Sequence, residues 1–270
     1  SMINFLFWNT NKKPIDNLIS ELAFHQNADV IMLAEFEGNP VKLLPVLNKD
    51  GFQYFLNESL CDKIRVFSKF RDEFFPKFAE SHRYTVRHLR LPGLDDVLLA
   101  VVHFPSKINF SNESQEVESD ELARFIRDAE DRVGHSRTIV VGDMNMNPFE
   151  PGMVKTTGLH SVMSRRTAQK GSRVVQGRSY KFFYNPMWNF FGDFSPNAPG
   201  THYYQSSEHV SYFWNMFDQV LLRPELLDSF SHQDLKILDS VGDLSLLDKN
   251  GIPSPKIASD HLPVFFRLNL

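Results

Sequence analysis

The chain has 270 residues, 42% of them hydrophobic, with 25 Phe and a formal net charge of -4. Such a composition suits one large α/β domain with a sizeable core and excludes a disordered or coiled-coil chain. The acidic balance, with pI near 6.2, excludes capture of a polyanion by overall charge, so an anionic partner must meet a local patch.

Met2 to Trp8 is an apolar run that reads as a buried strand, followed by a polar turn at Asn9, Asn11 and Pro14. Ile15, Leu18, Ile19, Leu22 and Ala23 recur at helical spacing, and a second buried run, Val30 to Leu33, ends at Ala34-Glu35. Further strands are expected at Gln53 to Leu56, Ile64 to Ser68, Tyr84 to Leu91 and Val97 to His103, so a mixed sheet or two packed sheets must result. Residues 113 to 133 form an amphipathic helix with an acid-rich start, whose charge run is a solvated face. Thr138 to Val141 is the next strand and leads into the turn-rich Gly142-Asp143-Met144-Asn145-Met146-Asn147-Pro148. From Pro151 to Gly192 there is no Asp or Glu, while Lys155, Arg165, Arg166, Lys170, Arg173, Arg178 and Lys181 interleave with aromatics. Met216 to Leu222 is a strand carrying Asp218, Pro224 to Leu227 a turn or short helix, and Val264 to Leu268 a buried terminal strand. A single domain over 1–270 with a basic and aromatic insertion at about 151–192 accounts for this order.

Cys61 is the sole cysteine, so no intramolecular disulfide can form. The start from Met2 to Trp8 is too short for a signal-peptide core with a basic lead, and the longest later apolar stretch, Val97 to Val102, is far below the roughly 20 residues that span a bilayer. The expectation is a soluble, cytoplasmic protein with no membrane partner.

Asn9, Glu35, His103 and Asp143 each fall at or just after the end of an apolar run, where side chains leave a covered sheet without being desolvated unpaired. Asp218 lies within a strand candidate and Asp260-His261 just before one. Singly, each has a plain structural explanation. Gly142-Asp143-Met144-Asn145 also reads as a turn, His103 as a hydrogen-bonded core histidine, Glu35 as a helix-start acid and Ser259-Asp260-His261 as a cap.

Jointly, Phe7-Trp8-Asn9, Ala34-Glu35, Val102-His103-Phe104-Pro105, Gly142-Asp143-Met144-Asn145, Phe217-Asp218-Gln219-Val220 and Ser259-Asp260-His261 resemble, in order, the endonuclease/exonuclease/phosphatase superfamily with the DNase-I-like fold. The resemblance implies a four-layer α/β/β/α sandwich of two packed mixed sheets flanked by helices, with the site at one edge. It also implies that Asp143 activates the attacking water, that Asn145 helps place water and phosphate, and that His103 contacts the phosphate or the transition state. Asn11 stands where some apurinic endonucleases carry an acid, which leaves a second metal contact open. From the residues themselves, Glu35 and Asp260 are hard oxygen donors, with amide help from Asn9, suited to Mg²⁺ or Mn²⁺ rather than to a zinc cage. His261 suits a cationic donor beside the phosphate and Asp218 its buried partner.

The superfamily includes nucleases, deadenylases, sphingomyelinases and inositol-polyphosphate phosphatases, so resemblance leaves the substrate open. The acid-free segment, with Arg165, Arg166, Lys170, Arg173, Arg178 and Lys181 among its rings, points to nucleic acid cut by direct water attack. Small phosphate esters, lipid headgroups and an inactive binding module are the alternatives.

Overall fold

The computed structural model describes residues 1–270. In chain order, strand β1 (Met2–Asn9), helix α1 (Asp16–Gln26), β2 (Val30–Ala34), α2 (Pro40–Leu47), β3 (Phe55–Asn57), β4 (Ile64–Ser68), β5 (Lys77–Glu80), β6 (Tyr84–Leu89), β7 (Val97–His103), α3 (Asn112–Val133) and β8 (Thr138–Asp143) make up the first half. The second half is shorter in its elements: α4 (Pro151–Val154), β9 (Ser161–Val162), α5 (Arg165–Ala168), β10 (Ser172–Val175), β11 (Arg178–Lys181), β12 (Phe183–Tyr184), β13 (His202–Tyr204), β14 (Phe213–Asn215), β15 (Asp218–Leu222), β16 (Lys236–Ile237), β17 (Ser240–Val241), β18 (Leu244–Ser245) and β19 (Val264–Asn269). No helix is long and apolar enough to cross a membrane.

Two mixed sheets form, one in the order β16-β19-β1-β2-β4-β3 and the other β5-β6-β7-β8-β15-β12-β9. Strand β7 shows why they stack. Val97, Leu99 and Val101 join the large core between the sheets, while Leu98, Ala100 and Val102 alternate onto the opposite face with Leu122, Ile126 and Ala129 of α3. A strand apolar on both faces must be covered on both, and the result is the α/β/β/α sandwich. Helix α3 is closed by Ser111, whose hydroxyl accepts from the Ser114 N–H, and by Gly134 in the left-handed region.

Strand β6 stops at Leu89, two residues earlier than periodicity suggests, because Pro92 follows and cannot donate to a ladder. The 151–192 segment is built largely inward. Phe182, Phe183, Tyr184 and Phe190 are buried in the two cores, so these rings are packing groups and not the base-stacking platform expected from composition. Of the cations of this segment, Arg165 and Arg166 sit on α5 and Arg173, Arg178 and Lys181 on the separate β10–β11 ribbon, which turns at Gln176-Gly177, both with positive φ.

Candidate active site

Strand register assembles the centre. In the second sheet His103 pairs with Asp143 across the parallel β7–β8 ladder, and Asp218 pairs with Asp143 across the antiparallel β8–β15 ladder. Three paired residues on neighbouring strands, spaced by about 4.8 Å per strand, present an imidazole and two carboxylates in one row. In the first sheet Asn9 pairs with Ala34, so Glu35 leaves β2 beside it, and the Ser259-Asp260-His261 turn enters β19 next to the end of β1.

Turn geometry then aims the groups. Glu35 and Asn145 both hold φ near +50°, which swings each side chain out of its strand direction. Gly142, with φ +152°, lets β8 approach β7 so closely that a Cβ would lie 2.0 Å from the Val102 carbonyl oxygen. Ser259 Oγ donates to the Asn9 carbonyl at 2.6 Å and accepts from the His261 N–H, and the Trp8 indole donates to the His261 carbonyl at 3.0 Å.

All eight residues expected at the centre meet there. The Asn9 amide nitrogen donates to Glu35 Oε2 at 2.6 Å and to Asp143 Oδ2 at 2.9 Å. His103 Nε2 lies 3.6 Å from Glu35 Oε2 and 3.7 Å from Asp143 Oδ2. His261 Nδ1 is 2.7 Å from Asp218 Oδ2, while its Nε2 is 3.9 Å from Asp143 Oδ2 and 4.0 Å from Asp260 Oδ1. The Asn145 N–H donates to Asp143 Oδ1 at 2.9 Å, and its side-chain amide donates to the Phe104 carbonyl.

Burial sets the electrostatics. Desolvation, reinforced by the charge of Asp218, pushes the Asp143 carboxyl up to about 7. Desolvation works against a charged His261, but Asp218 and Asp143 outweigh it and hold the imidazole up at about 10. His103 is pushed down to about 4 by burial, with Glu35 opposing and the cations of His261, Lys63 and Arg83 adding to the effect. At neutral pH His103 is therefore a neutral donor or acceptor and His261 a cation.

The carboxylates suit a divalent metal ion. Glu35, His103 and Asp143 have ligand atoms all within 4.8 Å of one another, and Asp260 lies beside His202 and His261. Asp260 Oδ1 is buried with no hydrogen-bond partner, the state of a carboxylate oxygen that awaits a cation. The Asn9 nitrogen faces the carboxylates and its oxygen accepts from the Asn11 N–H, so the amide ties Glu35 to Asp143.

Two functional neighbours carry no sequence signal. His202 stacks on His261 at 4.6 Å between centroids and places Nδ1 3.0 Å from the Asp260 carbonyl oxygen. Thr201 Oγ1 donates to Asp218 Oδ2 at 2.6 Å. Thr201 precedes and His202 opens β13, a short strand without a periodic sequence signal, and only the β13–β14 hairpin brings them in.

The six cations expected to bind substrate are not brought to this centre. None of Arg165, Arg166, Lys170, Arg173, Arg178 and Lys181 lines the active-site cleft. Lys181 Nζ donates to Ser136 Oγ, before the start of β8, whereas Asp143 ends that strand. Arg173 donates to His160, and Arg165 to the Leu227 carbonyl beyond the far end of β15. The cleft, of about 1320 Å³, has its own cations: Lys12, Lys63, Arg65, Arg83 and Lys107.

A model of the endonuclease/exonuclease/phosphatase family matches residues 6–261, which spans the first and last segments of the site. The chain belongs to the endonuclease/exonuclease/phosphatase family. Members of this family are divalent-metal-dependent phosphoester hydrolases, and the fold is the DNase-I-like one. No curated protein matches the sequence. Among solved structures, truncated TDP2 from Caenorhabditis elegans is similar over 100% of this chain and 98% of its own, at 13% identity and TM-score 0.59. D. rerio TDP2 complexed with single strand DNA product is similar over all of both chains, at 16% identity and TM-score 0.57. The human Nocturnin catalytic domain with bound sulfate anion is similar over 99% of this chain and 94% of its own, at 15% identity and TM-score 0.56. At these identities the likeness is one of fold.

Proposed function

We propose that this family member is a Mg²⁺- or Mn²⁺-dependent nuclease that hydrolyses phosphodiester bonds of DNA or RNA by direct attack of water. The observation that carries the reading is the Asp143–His261–Asp218 arrangement, with His261 at the floor of a cleft walled by cations on one side and by exposed rings on the other. The hydroxyls nearest His261 support water as the nucleophile. Ser259 and Thr201 are both engaged, to the Asn9 carbonyl and to Asp218, so neither is available for attack.

Asp143 takes the proton of the attacking water. Its carboxyl, titrating near 7, is matched to that task at neutral pH. The water oxygen forms the new bond to phosphorus and gives its proton to the Asp143 carboxylate, while the ester bond breaks and the leaving oxygen departs with the bonding pair and takes a proton from solvent. Asn145 is fixed beside it to hold a phosphate oxygen. His261, kept protonated and oriented by Asp218, directs its Nε2–H into the cleft and donates to an oxygen of the phosphate whose charge grows in the transition state. A divalent cation held by Glu35 and Asp260 would neutralise the phosphate and the leaving oxygen.

Wall chemistry favours nucleic acid. Tyr204 and Tyr212 line the cleft and are more than half exposed, and Phe149 lies 5.2 Å from the Tyr212 ring with Trp188 and Phe191 behind it. Exposed rings beside cations accept stacked bases. Turnover of single-stranded and duplex DNA, RNA, sphingomyelin and inositol phosphates, each with Mg²⁺, Mn²⁺ or chelator, tests the proposal. Metal-dependent cleavage of a nucleic acid is expected, and cleavage of only the small or lipid substrates would refute it.

A further inference from the structure

Three cations next to the centre are unspent. Lys63, Arg65 and Arg83 line the cleft, yet none of them forms an ion pair, whereas Lys12 pairs with Glu37 and Lys107 with Glu150. Asp62 lines the same wall without closing on any of the three. Their placement follows from register. Arg65 pairs with Leu33 and Ile64 with Ala34 across β2–β4, so Lys63 comes one residue beyond, as Glu35 does on β2. In the other sheet Tyr84 pairs with Val102, and the His103 N–H donates to the Arg83 carbonyl at 2.9 Å. The cations thus stand one strand outward from Glu35 in the first sheet and from His103 in the second, on a single side of the centre. The ring-bearing β13–β14 hairpin meets the centre from the other side, where Thr201 donates to Asp218 of β15 and His202 bridges to His261.

Two of the three have surroundings that suit an anion. Arg83 lies over the Phe110 ring at 5.0 Å, which leaves the edge of its guanidinium open to the cleft. Arg65 Nε is buried without a hydrogen-bond partner. A solvated surface cation would not leave a donor so stranded, and an anionic oxygen would satisfy it.

We propose that Lys63, Arg65 and Arg83 form a phosphate subsite that takes the phosphate adjoining the scissile one, so that the enzyme selects a polyanionic strand over an isolated phosphoester. This rests on the nuclease reading above and adds where the strand lies: phosphates on the β4/β6 side, bases against Tyr204 and Tyr212. The chemistry recognised is a second phosphate at one internucleotide step.

The test compares bis(p-nitrophenyl) phosphate, which carries one phosphate, with a fluorescein-labelled oligothymidylate, both turned over with Mn²⁺ across a salt series. Lys63→Gln with Arg83→Gln is the primary variant, since both residues lie in turns. Arg65→Lys, which keeps the charge and loses the fork within β4, is the second. For the primary variant KM on the oligonucleotide should rise about tenfold, the weight of one charge-assisted hydrogen bond. Its slope of log KM against log salt should flatten by about 0.7, one phosphate contact on a single strand. Turnover of the nitrophenyl diester, which has no second phosphate to lose, should fall far less than that of the oligonucleotide. Arg65→Lys should raise KM on the oligonucleotide alone. Equal losses on both substrates, or an unchanged slope, would overturn the subsite. If the wild type cuts the diester and not the oligonucleotide, the nuclease reading falls by itself. The oligonucleotide is then used as a competitor of diester turnover: inhibition that weakens in the variants sustains the subsite, and absence of inhibition overturns it.

Discussion

His261 Nδ1 and Asp218 Oδ2 lie 2.7 Å apart, both side chains buried, and this contact fixes which imidazole nitrogen faces the cleft. With Nδ1–H committed to Asp218, Nε2 is the nitrogen turned toward Asp143 and Asp260. Thr201 Oγ1 donates to the same carboxylate oxygen, so Asp218 is itself held. Asp218→Asn should therefore lower kcat by on the order of 10² or more while KM changes little, because the amide no longer favours the imidazolium. His261→Ala and Asp143→Ala should each lower turnover by about 10² to 10⁴ with far smaller changes in melting temperature. Near-wild-type turnover in either folded variant would remove that residue from the mechanism.

Glu35 carries the metal expectation. Glu35→Gln keeps the size of the side chain and removes its charge, and the Asn9 amide is then left with Asp143 as its one carboxylate partner. Calorimetric titration with Mn²⁺ should show binding weakened by about tenfold to a hundredfold or more. Unchanged Mn²⁺ affinity in the folded variant would place the ion elsewhere.

Arg165 and Arg166 lie outside the cleft, and the Arg165 guanidinium is committed to the Leu227 carbonyl. Replacing both with Gln should leave the salt dependence of oligonucleotide binding unaltered and cost about 1 kcal/mol of stability from the lost hydrogen bond. Fluorescence anisotropy in Ca²⁺ over a salt series reads the first, denaturant titration the second. A slope flattened by about 1.4 would restore the basic segment to the binding surface.

Gly142→Ala tests the close approach of β7 and β8. The added Cβ would meet the Val102 carbonyl at 2.0 Å with φ at +152°, so both sterics and backbone oppose it. A loss of about 3 kcal/mol is expected from strain and overpacking, read as a lowered melting temperature, with activity reduced because Asp143 is the next residue. Wild-type stability would contradict the register described for these strands.

Away from the centre, Asp96 offers a pH test. Burial opposes its ionisation, but hydrogen bonds from His88, His135 and Arg137 prevail and hold the carboxyl well below the usual carboxylate range. A folded-state value below the unfolded one, about 3.9, gives stability that is present above that value and lost as pH falls toward the folded one. The stability difference between wild type and Asp96→Asn should be full above about pH 5 and shrink on acidification below about pH 4. Denaturant titrations from pH 3 to 7 measure it, and a difference that grows in acid would reverse the assignment.

Much of the centre is legible in the sequence because strand ends are. Apolar runs that stop at Asn9, Glu35, His103 and Asp143 mark where a doubly covered strand leaves the core, and a polar group there is cheap to solvate and ready to act. Helices α1 and α3 and most of the larger strands follow from local periodicity, a short-range property that a linear reading captures. Where a charge faces is not short-range. The densest run of cations and rings, residues 151–192, packs its rings inward at Phe182, Phe183 and Tyr184 and carries cations to the other end of the sheet. The scattered Lys63, Arg65 and Arg83, unremarkable in sequence, meet at the cleft because two ladders in two different sheets set their register. The sequence alone determined the residues that must stand at strand ends, since burial is written in each strand's own pattern. Only the tertiary structure decided which cations, and which histidine from the β13–β14 hairpin, stand beside them, since sheet-to-sheet packing relates residues that no local period connects.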